Sequence, residues 1–339
     1  MKRKIFGFLL TVLLMALLVS SCQLLPSESS SSGTSATTSK SPTASPVPTA
    51  MPSPSPTPDP TATPSPSPSP VPTATPSPSP TPAPTATPAP TGWDHLNALD
   101  NTKTGWYYVP AFPLGADLPA VIPESVHKLV QASHALWQEA DPDGKPLYLT
   151  MDEGYEFQNL TDGILDIARD KEVPITFFIT GSYLARNPER VLRMVQDGHL
   201  VVNHTQRHPN LPDLLASEGP EAVLSELTQV EDAFRQLTGQ DMARYMRPPE
   251  GSYSERMLAL LDQAGYRTVF WSYAYRDWLT DDQPDPDAAL EKALDNLHPG
   301  SILLLHAVSE TNQKILPRLI DAARERGYRF LPLTSLTAP

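Results

Sequence analysis

The sequence contains few cysteines and few basic residues, and each scarcity excludes a class of protein. It contains a single cysteine, Cys22, among 339 residues, which excludes a disulfide within the chain and catalysis by a cysteine nucleophile. Basic residues are also scarce, since 25 Lys and Arg stand against 38 Asp and Glu and give a formal charge of −13. No basic stripe interleaved with aromatic residues is present, so we predict that nucleic acid is not a partner.

The first part of the chain lacks the composition of a folded domain. Residues 1–21 begin with three basic residues and continue as an apolar run, the pattern of a secretory signal peptide. The residues before Cys22 resemble a bacterial lipobox, so we predict that Cys22 carries a lipid. Residues 22–92 form a Pro/Ser/Thr-rich tract with almost no charge, which predicts a disordered, extended linker. We therefore expect an extracytoplasmic lipoprotein that is anchored to the membrane and reaches into the cell wall.

The remainder of the chain alternates between apolar runs and helix-like runs. Helix-like runs repeat apolar residues at a spacing of three and four, and several end at a glycine. Such alternation is typical of a parallel sheet, and at this length it favours a closed or nearly closed α/β barrel over residues 145–339. Residues 93–144 are predicted to be an extension that packs on the barrel and contains one helix, roughly 123–140. Buried strands are predicted at 147–151, 173–180, 199–203, 243–246, 266–272, 301–305 and 328–333.

Chemically reactive side chains follow the predicted strands at their C-terminal ends. They are Asp152 and Glu153 after the first strand, His204 and His208 after the third, Arg247 after the fourth, Asp277 and Trp278 after the fifth, and His306 after the sixth. Barrel enzymes build their active sites at this end of the strands. The positions therefore predict one shared site at one rim.

The residue types suggest a hydrolytic metal site, although each signal alone is weak. His204 and His208 are four residues apart, so on a helical turn their rings would point the same way. With an acidic residue from another strand they would form a three-ligand site of the kind that catalytic zinc uses, but this spacing alone more often marks surface or packing histidines. Arg247 either holds a carboxylate or belongs to a structural turn. His306 is either a core residue or an imidazole oriented by Asp277.

Five short motifs carry a resemblance to a known family. MDEG, HTQRH, RPPEG, RDW and LLLH, in this order and spacing, resemble the motifs of the polysaccharide deacetylase (NodB homology) domain, carbohydrate esterase family 4. The resemblance implies a distorted (β/α)7–8 barrel, in agreement with the strand count. DEGYE, FWSYAYRDW, LLLHAVSETN and a WYY segment ahead of the barrel are similar to the delta-lactam-biosynthetic, or peptidoglycan N-acetylmuramic acid deacetylase, branch.

The resemblance also implies a role for each matching residue. It gives a divalent metal, zinc, held by Glu153, His204 and His208. Asp152 would be the general base held by Arg247, and His306, tuned by Asp277, would be the general acid. The substrate would contact Tyr155, Pro249, Glu250, Trp278 and Leu305, and a backbone N–H near Glu250 would stabilise the oxyanion. Most of the family has aspartate where Glu153 stands, so the metal affinity depends on this longer side chain.

The function implied is removal of the N-acetyl group from an amino sugar of peptidoglycan, N-acetylmuramic acid in particular. Two alternatives remain open from the sequence. One is a deacetylase of another polysaccharide, such as a chitooligosaccharide, another wall glycan or xylan. The other is a catalytically inactive module that binds the wall.

Overall fold

The computed structural model describes residues 92–140 and 142–336 of the chain. The predicted signal peptide, the linker to residue 91 and the lipidation site at Cys22 therefore lie outside the described residues. Within the described ranges, none of the helices combines the length and the apolar character needed to cross a bilayer.

Ten strands and nine helices make up the described part of the chain. The strands are β1 (Thr104–Gly105), β2 (Pro146–Glu153), β3 (Ile175–Ile179), β4 (Leu200–Asn203), β5 (Tyr245–Met246), β6 (Ser252–Tyr253), β7 (Arg267–Thr268), β8 (Tyr273–Ala274), β9 (Ser301–His306) and β10 (Arg329–Phe330). The helices are α1 (Glu124–Ala132), α2 (Leu160–Asp170), α3 (Gly181–Arg186), α4 (Pro188–Gln196), α5 (Leu211–Glu218), α6 (Pro220–Thr238), α7 (Glu255–Gln263), α8 (Pro286–Asp295) and α9 (Glu310–Glu325). Short 3-10 helices occupy Asp94–Ala98, Pro249–Gly251 and Leu333–Ser335.

The main sheet is parallel and has eight strands. Its order is β7-β5-β4-β3-β2-β9-β8, with β10 pairing alongside the start of β2. The two edge strands, β7 and β8, are separated in the chain by residues 269–272 alone, so the sheet curls until its edges approach each other. The predicted distorted barrel with parallel strands is thereby confirmed. A small antiparallel pair of β1 and β6 was not predicted, because neither segment has a strand-like pattern of its own.

Two apolar layers flank the sheet because successive side chains of a strand face opposite sides. All eight residues of β2 are buried. Leu147, Leu149 and Met151 belong to the layer that the outer helices cover, whereas Tyr148 belongs to the barrel interior. β2 continues in this alternating pattern through Asp152 and Glu153, and this places the two carboxyl groups on different sides of the sheet.

The segment that precedes the barrel completes its wall between β7 and β9. Leu136 bridges to Val269 in parallel, and Gln138 bridges to Ser301 in antiparallel register. The helix predicted for 123–140 is therefore too long, since α1 ends at Ala132 and the chain then becomes extended to make these bridges. The predicted strand 266–272 is also interrupted, because β7 ends at Thr268.

Trp106 packs against Phe270 and Trp271, which lie in the short segment that links the two edge strands. From the sequence, the aromatic residues 106–108 could either pack on the barrel or line a sugar subsite, and packing is the interpretation that we favour. The Trp106 ring is 8% exposed and stacks on Phe270 with ring centroids 4.1 Å apart. Its Nε1 donates a hydrogen bond to the carbonyl oxygen of Trp271 over 2.9 Å, so Trp106 packs, while Tyr107 beside it is 50% exposed.

We expect the Trp106→Ala substitution to lower the free energy of unfolding by about 3–5 kcal/mol, because it removes a buried stacked ring. Tyr107→Ala is the matched control, and we expect it to change the stability by less than about 1 kcal/mol, since half of that side chain already meets water. Urea unfolding of both variants measures the difference. Equal losses in the two variants would show that Trp106 does not hold the extension to the barrel.

Candidate functional site

A large cavity opens at the C-terminal ends of the barrel strands. Its volume is about 1120 Å³. Seven of the residues predicted from the sequence line it, namely Asp152, Tyr155, His204, His208, Glu250, Trp278 and His306. Arg247 and Asp277 lie directly behind this wall, each bonded to one of the lining residues. The tertiary structure thus brings together residues that are more than 150 positions apart in the chain.

The centre of the cavity wall is an ion pair between Asp152 and Arg247. Arg247 has no exposed surface, and its Nη1 donates to Oδ1 of Asp152 over 2.7 Å. Its Nη2 donates to Oγ1 of Thr150 over 2.9 Å, and the guanidinium lies 4.0 Å above the ring of Phe178. These contacts fix the arginine, so the direction of the Asp152 carboxylate is also fixed.

The charged groups around Asp152 keep its carboxyl group ionised. Burial alone would raise the pKa of its carboxyl group, but the positive charge of Arg247, with those of His204 and His306, lowers the pKa below its ordinary value. One oxygen is held by Arg247, and the other, Oδ2, lies 3.6 Å from Nε2 of His204. Asp152 therefore presents an ionised oxygen to the cavity, as a general base requires.

The loop that carries His204 and His208 differs from the helical turn expected from their spacing. Residues 204–208 are irregular, and Thr205 and His208 have left-handed backbone angles, with φ of 68° and 62°. Such angles are unfavourable for residues with a side chain and concentrate at functional sites. The loop still brings the two imidazoles together, with ring centroids 4.9 Å apart.

His204 is oriented as a metal-binding histidine would be. Its Nδ1 lies 2.9 Å from the carbonyl oxygen of Arg247, and because a carbonyl only accepts, Nδ1 carries the proton. Nε2 then presents its lone pair to the cavity, an arrangement typical of histidine ligands. Burial lowers the pKa of His204 to about 4, although the charge of Asp152 opposes this, so the ring is neutral at physiological pH. These two histidines fit a divalent ion that prefers nitrogen ligands.

The carboxyl group of Glu153 does not reach the cavity that His204 and His208 line. It is paired in register with Ile179 of β3, faces the helix layer and does not line the cavity. Both carboxyl oxygens are buried without a hydrogen-bond partner, and burial, with the nearby Glu156 and Asp152, raises the pKa of Glu153 well above its ordinary value. Within residues 92–140 and 142–336, no three His, Cys, Asp or Glu side chains stand together as a metal site. Glu153 as the third ligand stays a prediction that the structure does not assemble.

His306 stands beside Asp152 at the ends of two neighbouring strands. The two residues are register partners of β9 and β2. His306 Nδ1 lies 2.7 Å from Oδ1 of the fully buried Asp277. Burial alone would lower the pKa of His306, but the hydrogen bond and the negative charge of Asp277, with the charge of Asp152, raise it above its ordinary value. His306 is therefore suited to hold a proton that it can donate into the cavity.

Asn312 is the last residue of the LLLHAVSETN motif, and the sequence indicated no role for it. It is fully buried and donates from Nδ2 to Oδ2 of Asp277 over 2.5 Å and to the carbonyl oxygen of His306 over 3.0 Å. Its Oδ1 accepts a hydrogen bond from the hydroxyl of Tyr275. Its place at the end of that motif was the available signal, but its partners are set only by the tertiary fold.

The predicted substrate contacts divide into two groups. Tyr155, Glu250 and Trp278 line the cavity. Tyr155 and Trp278 are 45% and 47% exposed, and the Trp278 ring lies 5.7 Å from that of His306. Pro249 and Leu305 are buried and do not line the cavity. The residue on β9 that does line it is Leu304, because the side chain of Leu305 points to the opposite side, into the helix layer.

Comparison with known proteins agrees with this geometry. A family model described as polysaccharide deacetylase matches residues 139–269. The peptidoglycan-N-acetylmuramic acid deacetylase PdaA of Bacillus subtilis is 36% identical over 192 residues, which cover 57% of this chain and 71% of that protein. A chitooligosaccharide deacetylase of Bradyrhizobium is 35% identical over 206 residues, which cover 57% of this chain and 90% of the relative.

The solved structures include a similar fold. The structure of Bacillus subtilis PdaA, described as a family 4 carbohydrate esterase, superposes with a TM-score of 0.66 at 31% identity. The superposition covers 70% of this chain and 98% of that one.

Proposed function

The chain belongs to the polysaccharide deacetylase family, carbohydrate esterase family 4, whose members hydrolyse N-acetyl amide bonds of sugars, and from this we propose that its substrate is N-acetylmuramic acid in peptidoglycan. The observation that supports deacetylation by this chain is the presence, at one cavity, of a buried Asp152–Arg247 ion pair and a His306–Asp277 pair. These two pairs supply the base and the acid that amide hydrolysis needs. They favour an enzyme over an inactive wall-binding module.

In the proposed reaction, Asp152 accepts a proton from the attacking water, and Arg247 keeps Asp152 ionised and oriented. The water oxygen bonds to the acetyl carbon, and the backbone N–H of Glu250 at the cavity wall donates to the resulting oxyanion. His306 then donates its proton to the amide nitrogen as the C–N bond breaks, which releases acetate and leaves the sugar amine. Asp277, held by Asn312, keeps His306 in the correct orientation.

The cofactor in this proposal is a divalent ion, zinc, held by His204 and His208. When bound, it would supply Lewis-acid polarisation of the acetyl carbonyl and activation of the water. The support is the neutral state of His204 and the direction of its Nε2 lone pair. Tyr155 and Trp278 would pack against the faces of the sugar rings at the rim of the cavity.

The substrate assignment rests on the relative named for N-acetylmuramic acid, and the second candidate, a chitooligosaccharide, rests on the relative named for that sugar. Mass spectrometry of muropeptides after incubation of peptidoglycan with the purified domain separates the two. We expect acetyl loss from muramic acid. Acetyl loss from glucosamine alone, or from chitooligosaccharide but not from peptidoglycan, would contradict the assignment.

The site of action in this proposal is outside the cytoplasm. The support is the signal-like residues 1–21 and the lipobox-like residues that precede Cys22. The Pro-rich linker would carry the enzyme from its membrane anchor to the glycan.

We expect His306→Gln to reduce kcat/KM for acetate release by about 10²–10⁴-fold, because the leaving amine loses its proton donor. His306 must be protonated to act, so the activity of the natural enzyme should fall as the pH rises through its raised pKa. In the His306→Gln variant this alkaline limb of the pH–rate profile should be absent. His127→Gln on α1, away from the cavity, serves as the control. An unchanged alkaline limb in His306→Gln would assign the acid role to another group.

A further inference from the structure

Three arginines line the cavity, and they differ in their partners. Arg207 donates to the buried carboxylate of Glu226. Arg276 pairs with Asp282. Arg186 is exposed, and in the part of the chain that the structure describes its side chain makes no hydrogen bond or ion pair. Arg186 is therefore the cavity-lining arginine whose charge no carboxylate of the described chain offsets.

The other charged groups of the cavity do not neutralise Arg186. The two carboxylates that line the cavity are Asp152 and Glu250. Asp152 is held by Arg247, and Glu250 accepts a hydrogen bond from the side chain of Asn210. The guanidinium of Arg186 is thus available to an anion that enters the cavity.

Arg186 stands on a helix whose start is fixed to the histidine loop. The backbone N–H groups of Gly181 and Ser182 donate to the carbonyl oxygens of Thr205 and Gln206. Ser182 and Arg186 both line the cavity, since residues four apart share one face of a helix. Four residues of helix advance about 6 Å, so Arg186 begins roughly one turn away from the loop of His204 and His208. At that separation, Arg186 would contact another substituent of the sugar ring that carries the reacting acetamide, and it would not contact the acetamide.

Resting on the function proposed above, we propose that Arg186 binds the lactyl carboxylate of the muramic acid whose acetyl group is removed. A guanidinium offers two parallel N–H donors that match the two oxygens of a carboxylate. Glucosamine carries no such group, and a lactyl group in amide linkage carries no charge. Arg186 thereby makes the enzyme specific for muramic acid with a free carboxylate.

The test compares two glycans that differ only in this group. One contains N-acetylmuramic acid with free lactyl carboxylates, and the other is the same glycan with those carboxylates converted to amides. We expect Arg186→Gln to lower kcat/KM for the free-carboxylate glycan by about 10–100-fold, which is the effect of losing a charge-assisted hydrogen bond. The loss should appear in KM and not in kcat, because the contact is remote from the reacting bond. Activity on the amidated glycan should not change.

Two further variants complete the experiment. Arg186→Lys keeps the charge but loses the paired donors, so we expect a loss smaller than that of Arg186→Gln. Arg169→Gln removes an exposed positive charge on α2, away from the cavity, and should leave both glycans unaffected. Equal kinetics of Arg186→Gln and the natural enzyme on the free-carboxylate glycan would overturn the inference. Absence of acetate release by the natural enzyme from both glycans would instead overturn the proposed function.

Discussion

Replacing Asp152 by asparagine is expected to lower kcat for acetate release by about 10²–10⁴-fold, because the attacking water then has no base to accept its proton. An amide keeps the size of the side chain and one oxygen that can accept from Nη1 of Arg247. It cannot take up a proton at the pH of the reaction. Acetate release from peptidoglycan, measured at saturating substrate, gives the decrease directly.

The folded state of this variant has to be measured as well, because Arg247 is fully buried. Removing one partner of a buried ion pair costs about 3–5 kcal/mol, and the oxygen that asparagine retains should keep the cost below that range. Thermal unfolding of Asp152→Asn therefore gives a lowered but cooperative transition. Asp170→Asn makes the same change of charge at an exposed position on α2 and should alter neither activity nor stability. A folded Asp152→Asn variant with full activity would refute the assignment of the base.

Removing the divalent ion is expected to abolish acetate release, and adding zinc to the treated enzyme should restore it. The same experiment on variants tests which side chains hold the ion. His204→Gln should contain far less zinc than the natural protein, because the neutral Nε2 that faces the cavity is lost. Metal analysis of the purified proteins gives the zinc content per chain.

Glu153→Gln is the informative counterpart of His204→Gln. Because the Glu153 carboxyl group faces the helix layer and lies outside the cavity, we expect this variant to retain its zinc and most of its activity. Retention would show that the histidines bind the ion without Glu153. Loss of zinc in Glu153→Gln, with folding intact, would show that the side chain turns toward the histidines when the ion binds.

The sequence was informative about Asp152, Arg247, Asp277 and His306 for one physical reason. Parallel strands all end at the same rim, so a polar residue that follows an apolar run has its position set by the fold class alone. Once the alternation of strands and helices indicates the barrel, the meeting of these residues follows without knowledge of any distance.

The sequence was less informative wherever the direction of a side chain mattered. Leu304 lines the cavity where Leu305 was predicted, and Glu153 faces away from the histidines. Successive side chains of a strand face opposite sides of the sheet, so the direction of each side chain depends on how far the strand extends. β2 extends through Glu153, so the alternation of the strand still governs that residue. The loop of His204 and His208 adopts left-handed angles that no local pattern of residues indicates.

The amino-acid sequence by itself determined the barrel, the order of its elements and the set of chemically active residues, because periodic burial and strand ends are local properties of the chain. The tertiary structure alone decided the further contacts and the directions of the side chains. It placed Asn312 against Asp277, turned Glu153 away from the histidines, and among the described residues it left the side chain of Arg186 without a carboxylate. Such details depend on which side chains meet after the sheet curls, and no local pattern of the chain indicates them.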